Sequence, residues 1–240
     1  MRELEAVATA AGRGVLRRVV LRSPFIELVG DMSTFESSLP GQFRKRLRRR
    51  TRRLEEQGAV TVSFDVGNER LDELLAEGFA IESSGWKAEL GTAIVSDPKL
   101  ERFYRHVAQW AADRGWLRIG MLRLDGTAVA FNLYVVFGGT LSSLKGGFDT
   151  AYRPFAPGAI LTRASIEFAY ESGLRRYDFL GDADPYKLDW ARDVAERVRI
   201  QAFARTVPGR LAHAAWRYGR PAVQSVTAAR RRASHRKVAE

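Results

Sequence analysis

The chain has 240 residues, 45% of them hydrophobic and 10% aromatic, so it is long enough to bury a sizeable core, and its formal charge is +11. It has no cysteine and only three histidines, His106, His213 and His235, far apart in sequence. This excludes disulfides, thiolate metal sites and cysteine nucleophiles, predicts no structural zinc, and fits a reducing cytosol.

Met1 to Ala11 lacks the basic start, apolar core and cleavage site of a secretion signal, and reads as a helical or frayed start. Val19, Val20 and Leu21, then Pro24, Phe25, Ile26 and Leu28, read as two short strands around a turn, with Gly30-Asp31 as the exit. From Pro40 to Gln57 the spacing of Phe43, Leu47 and Leu54 predicts a helix stopped by Gly58. Eight of the ten residues from Arg44 to Arg53 are basic. They cover the rest of that helix, a face that is either solvated and paired with acidic groups or meets the phosphates of a ligand or polymer. Val60 to Phe64 alternates as a strand. Leu71, Leu74 and Leu75 open a helix that leads through Phe79 and Ile81 to Glu82.

Ser96-Asp97-Pro98 combines a capping side chain with proline at the first turn, and Leu100, Phe103, Tyr104, Val107, Ala108 and Ala111 give the apolar face that follows. His106 lies off that stripe and reads as a surface histidine. Trp116 to Leu124 and Ala128 to Phe137 are strands joined through Asp125-Gly126, and Gly138-Gly139 turns the chain into Thr140 to Gly146, completing an antiparallel meander. The apolar stretch Ala128 to Phe137 is interrupted by Asn132 and is about half the ~20 residues a membrane-spanning helix needs. No membrane span and a cytoplasmic protein are therefore expected.

Ala156-Pro157-Gly158 stands before an amphipathic helix with Leu161, Ala164, Phe168 and Ala169 on one face, stopped by Gly173. Tyr177, Phe179 and Leu180 make a short buried strand that ends at Gly181, followed by Asp182, Asp184, Tyr186 and Lys187. Val198, Ile200, Ala202 and Ala204 alternate as a last strand. Pro208-Gly209 begins a helical segment with Leu211, Ala215 and Tyr218; Pro221 breaks it, and a basic tail ends in Arg230, Arg231, Arg232, Arg236 and Lys237. The pattern predicts an α/β (α+β) chain. A strand, a helix start able to receive an anion and ionisable groups at the next strand's end are the parts of a ligand site.

Gly147-Phe148-Asp149, Pro157-Gly158, Tyr177-Asp178-Phe179-Leu180-Gly181 and Tyr186-Lys187 with Trp190 carry a family likeness. So do Glu82-Ser83-Ser84-Gly85-Trp86-Lys87, Gly91-Thr92-Ala93 and Phe103-Tyr104 upstream. In this order the motifs resemble the acyl-CoA N-acyltransferase (GNAT) superfamily, in the BioF2-like or CelD/BcsL-like branch associated with cellulose and exopolysaccharide biosynthesis and related to FemAB-like transferases. The resemblance implies a mixed, mostly antiparallel twisted sheet flanked by helices, with a C-terminal helical extension. It divides the chain into 1–30, a remnant of an N-terminal acyltransferase-like half; 31–206, the GNAT domain; and 207–240, a basic helix and tail.

The implied activity is transfer of an acyl group from acetyl-CoA or another acyl-CoA to an amine of a small molecule such as a sugar or polysaccharide precursor. No metal is implied. The donor would be held by Lys145 on the strand from Thr140 to Gly146, and by Arg153, Ala156, Pro157, Gly158, Ala159 and Leu161 at the helix start. Glu82 and Asp178 are the candidate bases, Tyr186 the candidate acid, and Lys187 the group to hold the thioester oxygen or a phosphate. Trp86, Lys87 and Asp149 would meet the acceptor. Each has a packing alternative: Asp178 as a buried carboxylate bonded to backbone, Tyr186 and Lys187 laid on the sheet, Trp86 as a core anchor.

The chain departs from the superfamily in one place. The usual pyrophosphate loop, Arg or Gln, two residues, Gly, one residue, Gly or Ala, is replaced by Tyr152-Arg153-Pro154-Phe155-Ala156-Pro157-Gly158. Two alternatives stay open: a FemAB-like transferase whose arginine-rich helix grips aminoacyl-tRNA, and a non-catalytic basic module for nucleic acid or an anionic membrane. On the acyl-CoA reading, neutralising four arginines between Arg44 and Arg53 is expected to leave acetyl-CoA affinity almost unchanged. No other catalytic motif is present, and nothing fixes the oligomeric state.

Overall fold

Two tight turns with left-handed backbone set the centre of the sheet. Asp125 (φ 48°) and Gly126 (φ 82°) join β3 (Leu117–Leu124) to β4 (Thr127–Phe137), and Gly138 (φ 58°) and Gly139 (φ 75°) join β4 to β5 (Thr140–Phe148). Positive φ at both central residues matches the right-handed twist of the flanking strands, so each hairpin closes without splaying. The computed structural model describes residues 2–84 and 94–219. With β1 (Gly14–Glu27), β2 (Val60–Asp65), β6 (Arg176–Asp178) and β7 (Asp193–Phe203), these strands form a seven-stranded sheet in the order β2-β3-β4-β5-β6-β1-β7. The ladders between β2, β3, β4 and β5 and between β6 and β1 are antiparallel; β5 and β6 run parallel.

The helices, in chain order, are α1 (Arg2–Ala10), α2 (Met32–Ser38), α3 (Gly41–Glu55), α4 (Leu71–Ser83), α5 (Pro98–Ala112), α6 (Pro157–Glu171), the single turn α7 (Pro185–Leu188) and α8 (Val207–Ala214). Among the described residues no helix is long and apolar enough to cross a membrane. The chain falls into two compact units divided at Arg22/Ser23 and Ala195/Glu196. The divisions fall inside β1 and β7.

In the unit Ser23–Ala195 both faces of the central strands are covered. Phe43, Leu47 and Leu54 of α3 and Ile160, Leu161 and Ile166 of α6 bury against Tyr134, Leu141, Tyr177 and Trp190. On the opposite face Leu74, Leu75 and Phe79 of α4 and Ala108 and Ala111 of α5 bury against Leu117, Ile119, Met121, Phe131 and Leu133. Each fully buried large side chain contributes roughly 1.5–3 kcal/mol, which is why the 3.6-residue stripes on these helices predicted the layers. Asp97 caps α5 as expected, accepting from the Lys99 amide at 2.8 Å.

Residues 14–27 differ from the expected pair of short strands: they form one continuous strand. Pro24 removes only an amide donor, and its carbonyl still accepts from the Phe179 amide at 3.1 Å, so the ladder runs past it. Beyond β1 the structure adds α2, for which Asp31 serves as N-cap, accepting from the Thr34 amide at 2.7 Å.

The other unit contains, among the described residues, 2–22 and 196–219. Here Gly14 lies against the His213 imidazole, where an added Cβ would stand 2.6 Å from Nδ1, and the Arg18 guanidinium donates to the Trp216 carbonyl.

Candidate active site

The parallel ladder between β5 and β6 is three pairs long and ends at Ser142↔Asp178. β5 continues to Phe148, and between Tyr134↔Ser143 and Leu133↔Lys145 it carries one extra residue, Leu144. A bulge at that point bends the strand and re-aims its side chains. The two strands part there, and a cavity of about 530 Å³ opens in the gap. Its lining comes from β5 (Ser143, Gly146, Gly147, Phe148), from α6 (Gly158, Ala159, Leu161, Thr162) and from α3 (Phe43, Arg46, Leu47, Arg50). Glu82, Phe131, Asn132, Arg153, Ala156, Tyr177, Phe179, Tyr186, Asp189 and Trp190 complete it.

The start of α6 is built to expose backbone. Ala156, the residue before its first turn, holds the left-handed conformation (φ 53°) and makes no side-chain cap; Pro157 has no amide to satisfy. The small residues that follow let a ligand reach the Gly158 amide, while the Ala159 amide donates to the Ala156 carbonyl at 2.9 Å. Gly158 packs closely as well, since a Cβ there would meet the Phe148 ring at 3.2 Å.

Across the cavity Glu82 ends α4 with 1% of its surface exposed. Its Oε2 accepts from the Ile94 amide at 2.8 Å, and its Oε1 stands 3.0 Å from the Lys145 ammonium. Burial, and then the charge of Glu82, push the Tyr104 phenol upward. Gly147 makes this approach of α4 to β5 feasible: an added Cβ would lie 2.7 Å from the Glu82 Cα. Tyr186 is 60% exposed as a whole residue, yet burial at its phenol end, followed by the Asp184 carboxylate, pushes it up to about 12. The Tyr177 phenol is held well above its ordinary range by burial first and Tyr134 second, so it lines the cavity as a neutral ring.

Of the residues expected at a site, Glu82, Arg153, Ala156, Gly158, Ala159, Leu161 and Tyr186 come together on this lining. The other described ones lie off it. Asp178 accepts from the Ser23 hydroxyl at 3.0 Å and from the Leu180 amide at 2.9 Å, holding Leu180 in a left-handed conformation (φ 48°). Lys187 is 7% exposed; its ammonium donates to the Leu180 and Asp182 carbonyls at 3.0 and 2.9 Å and pairs with Asp184 at 2.9 Å. Lys145 faces Glu82, Pro157 is buried at the first turn of α6, and Asp149 caps the turn 150–155 by accepting from the Ala151 amide at 2.9 Å. Trp86 and Lys87 lie outside the described residues. Among the described residues no group of three His, Cys, Asp or Glu side chains is arranged to hold a metal ion.

Sequence reasoning missed Arg46 and Arg50, Asn132 and Ser143. The arginines carried a signal: each stands three residues after a buried apolar residue, Phe43 or Leu47, and so flanks the stripe that faces the core. Asn132 showed only as a polar break in an apolar strand. Its amide donates to the Ser143 hydroxyl at 2.8 Å, while its Oδ1 is buried with no hydrogen-bond partner among the described residues.

A family model described as Acetyltransferase (GNAT) domain matches residues 41–188. The chain belongs to the GNAT acetyltransferase-domain family. That match spans α3 to α7 and therefore every element that lines the cavity.

Three solved structures share the fold at low identity. A conserved protein of unknown function from Bacteroides thetaiotaomicron is 16% identical with a TM-score of 0.58; the alignment covers 84% of this GNAT chain and 65% of that one. The C-terminal domain of a putative lysylphosphatidylglycerol synthetase from Agrobacterium fabrum is 14% identical with a TM-score of 0.54, covering 83% and 64%. L-PGS from Bacillus licheniformis is 11% identical with a TM-score of 0.52, covering 89% and 69%. The chain thus spans less than two thirds of the first two. No curated protein matches the sequence.

Proposed function

We propose that this GNAT chain is an acyl-CoA-dependent N-acyltransferase, with acetyl-CoA as the simplest donor and a small-molecule amine as acceptor. The observation that carries the reading is the parting of β5 from β6 beside the uncapped start of α6. The strand edge beyond Ser142 can hydrogen-bond a pantetheine arm as an added strand would, and the Gly158 amide at the positive end of α6 can receive a pyrophosphate oxygen. The resemblance to the BioF2-like branch supports a sugar or polysaccharide precursor as acceptor.

In this reaction the acceptor nitrogen attacks the thioester carbonyl, an N–C bond forms, and the C–S bond breaks as thiolate leaves. Glu82, the carboxylate on the cavity wall, takes the proton of the acceptor ammonium. Tyr186 keeps its proton at neutral pH. A phenol at about 12 holds it more firmly than a thiol near 8.5, so Tyr186 acts by hydrogen bonding to the departing sulfur; the second proton that the nitrogen loses as the amide forms passes to solvent, and the thiolate takes its proton from solvent. Asp178 and Lys187 serve as positioning residues that hold the loop carrying Tyr186.

One observation favours a second reading. Lys45, Arg48, Arg49 and Arg52 form an exposed basic strip along α3, which suits a polyanionic carrier such as an aminoacyl-tRNA. Calorimetric titration with acetyl-CoA and free CoA at two salt concentrations separates the two. Micromolar binding that largely survives added salt is expected of a preformed acyl-CoA site. Absence of binding, with salt-steep binding of RNA, would move the donor to the second class.

A further inference from the structure

The chain lacks the loop with which GNAT proteins usually hold a pyrophosphate, and the start of α6 brings one cation, Arg153, to the cavity. The arginine-rich helix brings more. Contacts near both ends fix how α3 lies: the Phe43 ring meets Trp190 edge-on at 4.8 Å, and the Arg53 guanidinium sits 5.5 Å over Phe155, the last residue of the turn that leads into α6. Between these contacts Arg46 and Arg50, one turn apart, both reach the cavity. Arg46 has a carboxylate beside it, Asp189 at 3.4 Å. Arg50 is half-buried and, among the described residues, has no carboxylate partner. Arg48 and Arg49 are exposed and do not line the cavity.

We propose that Arg50, with Arg153, holds a phosphate of the CoA donor, so that α3 is part of the donor site. This rests on the acyl-CoA reading. A guanidinium offers a planar fork matched to phosphate oxygens, and a half-buried one without a carboxylate keeps that fork for a ligand. Two arginines on neighbouring elements then replace what the missing loop would supply. On this proposal neutralising Arg48 or Arg49 should leave CoA affinity almost unchanged, whereas neutralising Arg50 should not.

The test compares the unaltered protein with Arg50→Gln, Arg50→Lys and Arg49→Gln, each titrated with CoA and with pantetheine, which carries no phosphate. Melting temperatures are measured alongside. Arg50→Gln is expected to weaken CoA binding by about tenfold or more, Arg50→Lys by less, and Arg49→Gln by no more than about twofold, the loss expected for an exposed, screened charge. Pantetheine affinity should be the same in all four. An unchanged CoA affinity in Arg50→Gln, an equal loss in Arg49→Gln, or a parallel loss of pantetheine would overturn the assignment while leaving the acyl-CoA reading standing. Failure of the unaltered protein to bind CoA would overturn both.

Discussion

The start of α6 and the loop after β6 flank the same cavity, and both looked chemical in the sequence, yet they are built in opposite ways. Around Ala156 and Gly158 the chain offers backbone and small side chains and asks little for itself; the N-cap makes no side-chain bond. From Asp178 to Lys187 the charged groups serve the chain: Asp178 holds the Leu180 amide and Lys187 holds two carbonyls and Asp184. An irregular buried segment must find partners for its polar backbone, and an ionised side chain is the strongest partner within reach. A cluster of ionisable residues at a strand end is therefore as much a sign of a loop holding itself in place as of a reacting centre.

The sharpest way to break that comparison is to close the open side. Gly158→Leu should weaken CoA binding by about a hundredfold or more, because the side chain enters the donor space and must displace the Phe148 ring, 3.2 Å from the new Cβ. The melting temperature should fall far less than binding does; unchanged affinity would remove α6 from the donor site. Next comes Tyr186→Phe, expected to lower kcat by roughly 10- to 100-fold with little change in KM. Because its phenol lies up at about 12, Tyr186 should contribute no falling limb to the rate profile near neutrality, and a loss of rate that tracks its ionisation at pH 8 would contradict this role. The sign is fixed by the protonated form: raising the pH removes the hydrogen-bond donor and so can only lower the rate.

Smaller effects should follow on the self-held side, and they should fall on folding. Lys187→Ala and Asp178→Asn each leave buried loop groups without partners, at a cost of about 1–3 kcal/mol. Turnover and melting temperature should then decline together. A large loss of kcat at unchanged melting temperature would return Lys187 or Asp178 to the reacting centre. The smallest effect should come from Arg52→Gln, whose 3.3 Å pair with Glu56 is well exposed. Its contribution is expected within about 0–1 kcal/mol, and a larger change in thermal or chemical melting would show that the basic strip is structural.

Much of the fold was legible because it rests on local chemistry. Asp125-Gly126 and Gly138-Gly139 declare their turns by residue type, and Phe43, Leu47 and Leu54 declare a buried face by spacing. In β1 the proline reads in sequence as a break between two short strands, whereas the ladder uses its carbonyl. The site was most legible on the side made of contiguous sequence, Arg153 to Leu161, with Glu82 and Tyr186 added as single residues.

The sequence by itself determined the layers, the meander, the order of elements and the family likeness, since period, turn residues and motif spacing are properties of neighbours along the chain. Only the tertiary structure decided which charges face the cavity. Whether Arg50 points inward while Arg49 stays in solvent, whether Glu82 meets Lys145, and whether Lys187 spends its ammonium on its own loop depend on elements brought together across tens of residues. Charge carries no period of its own, so its partners exist only once the core has set the distances.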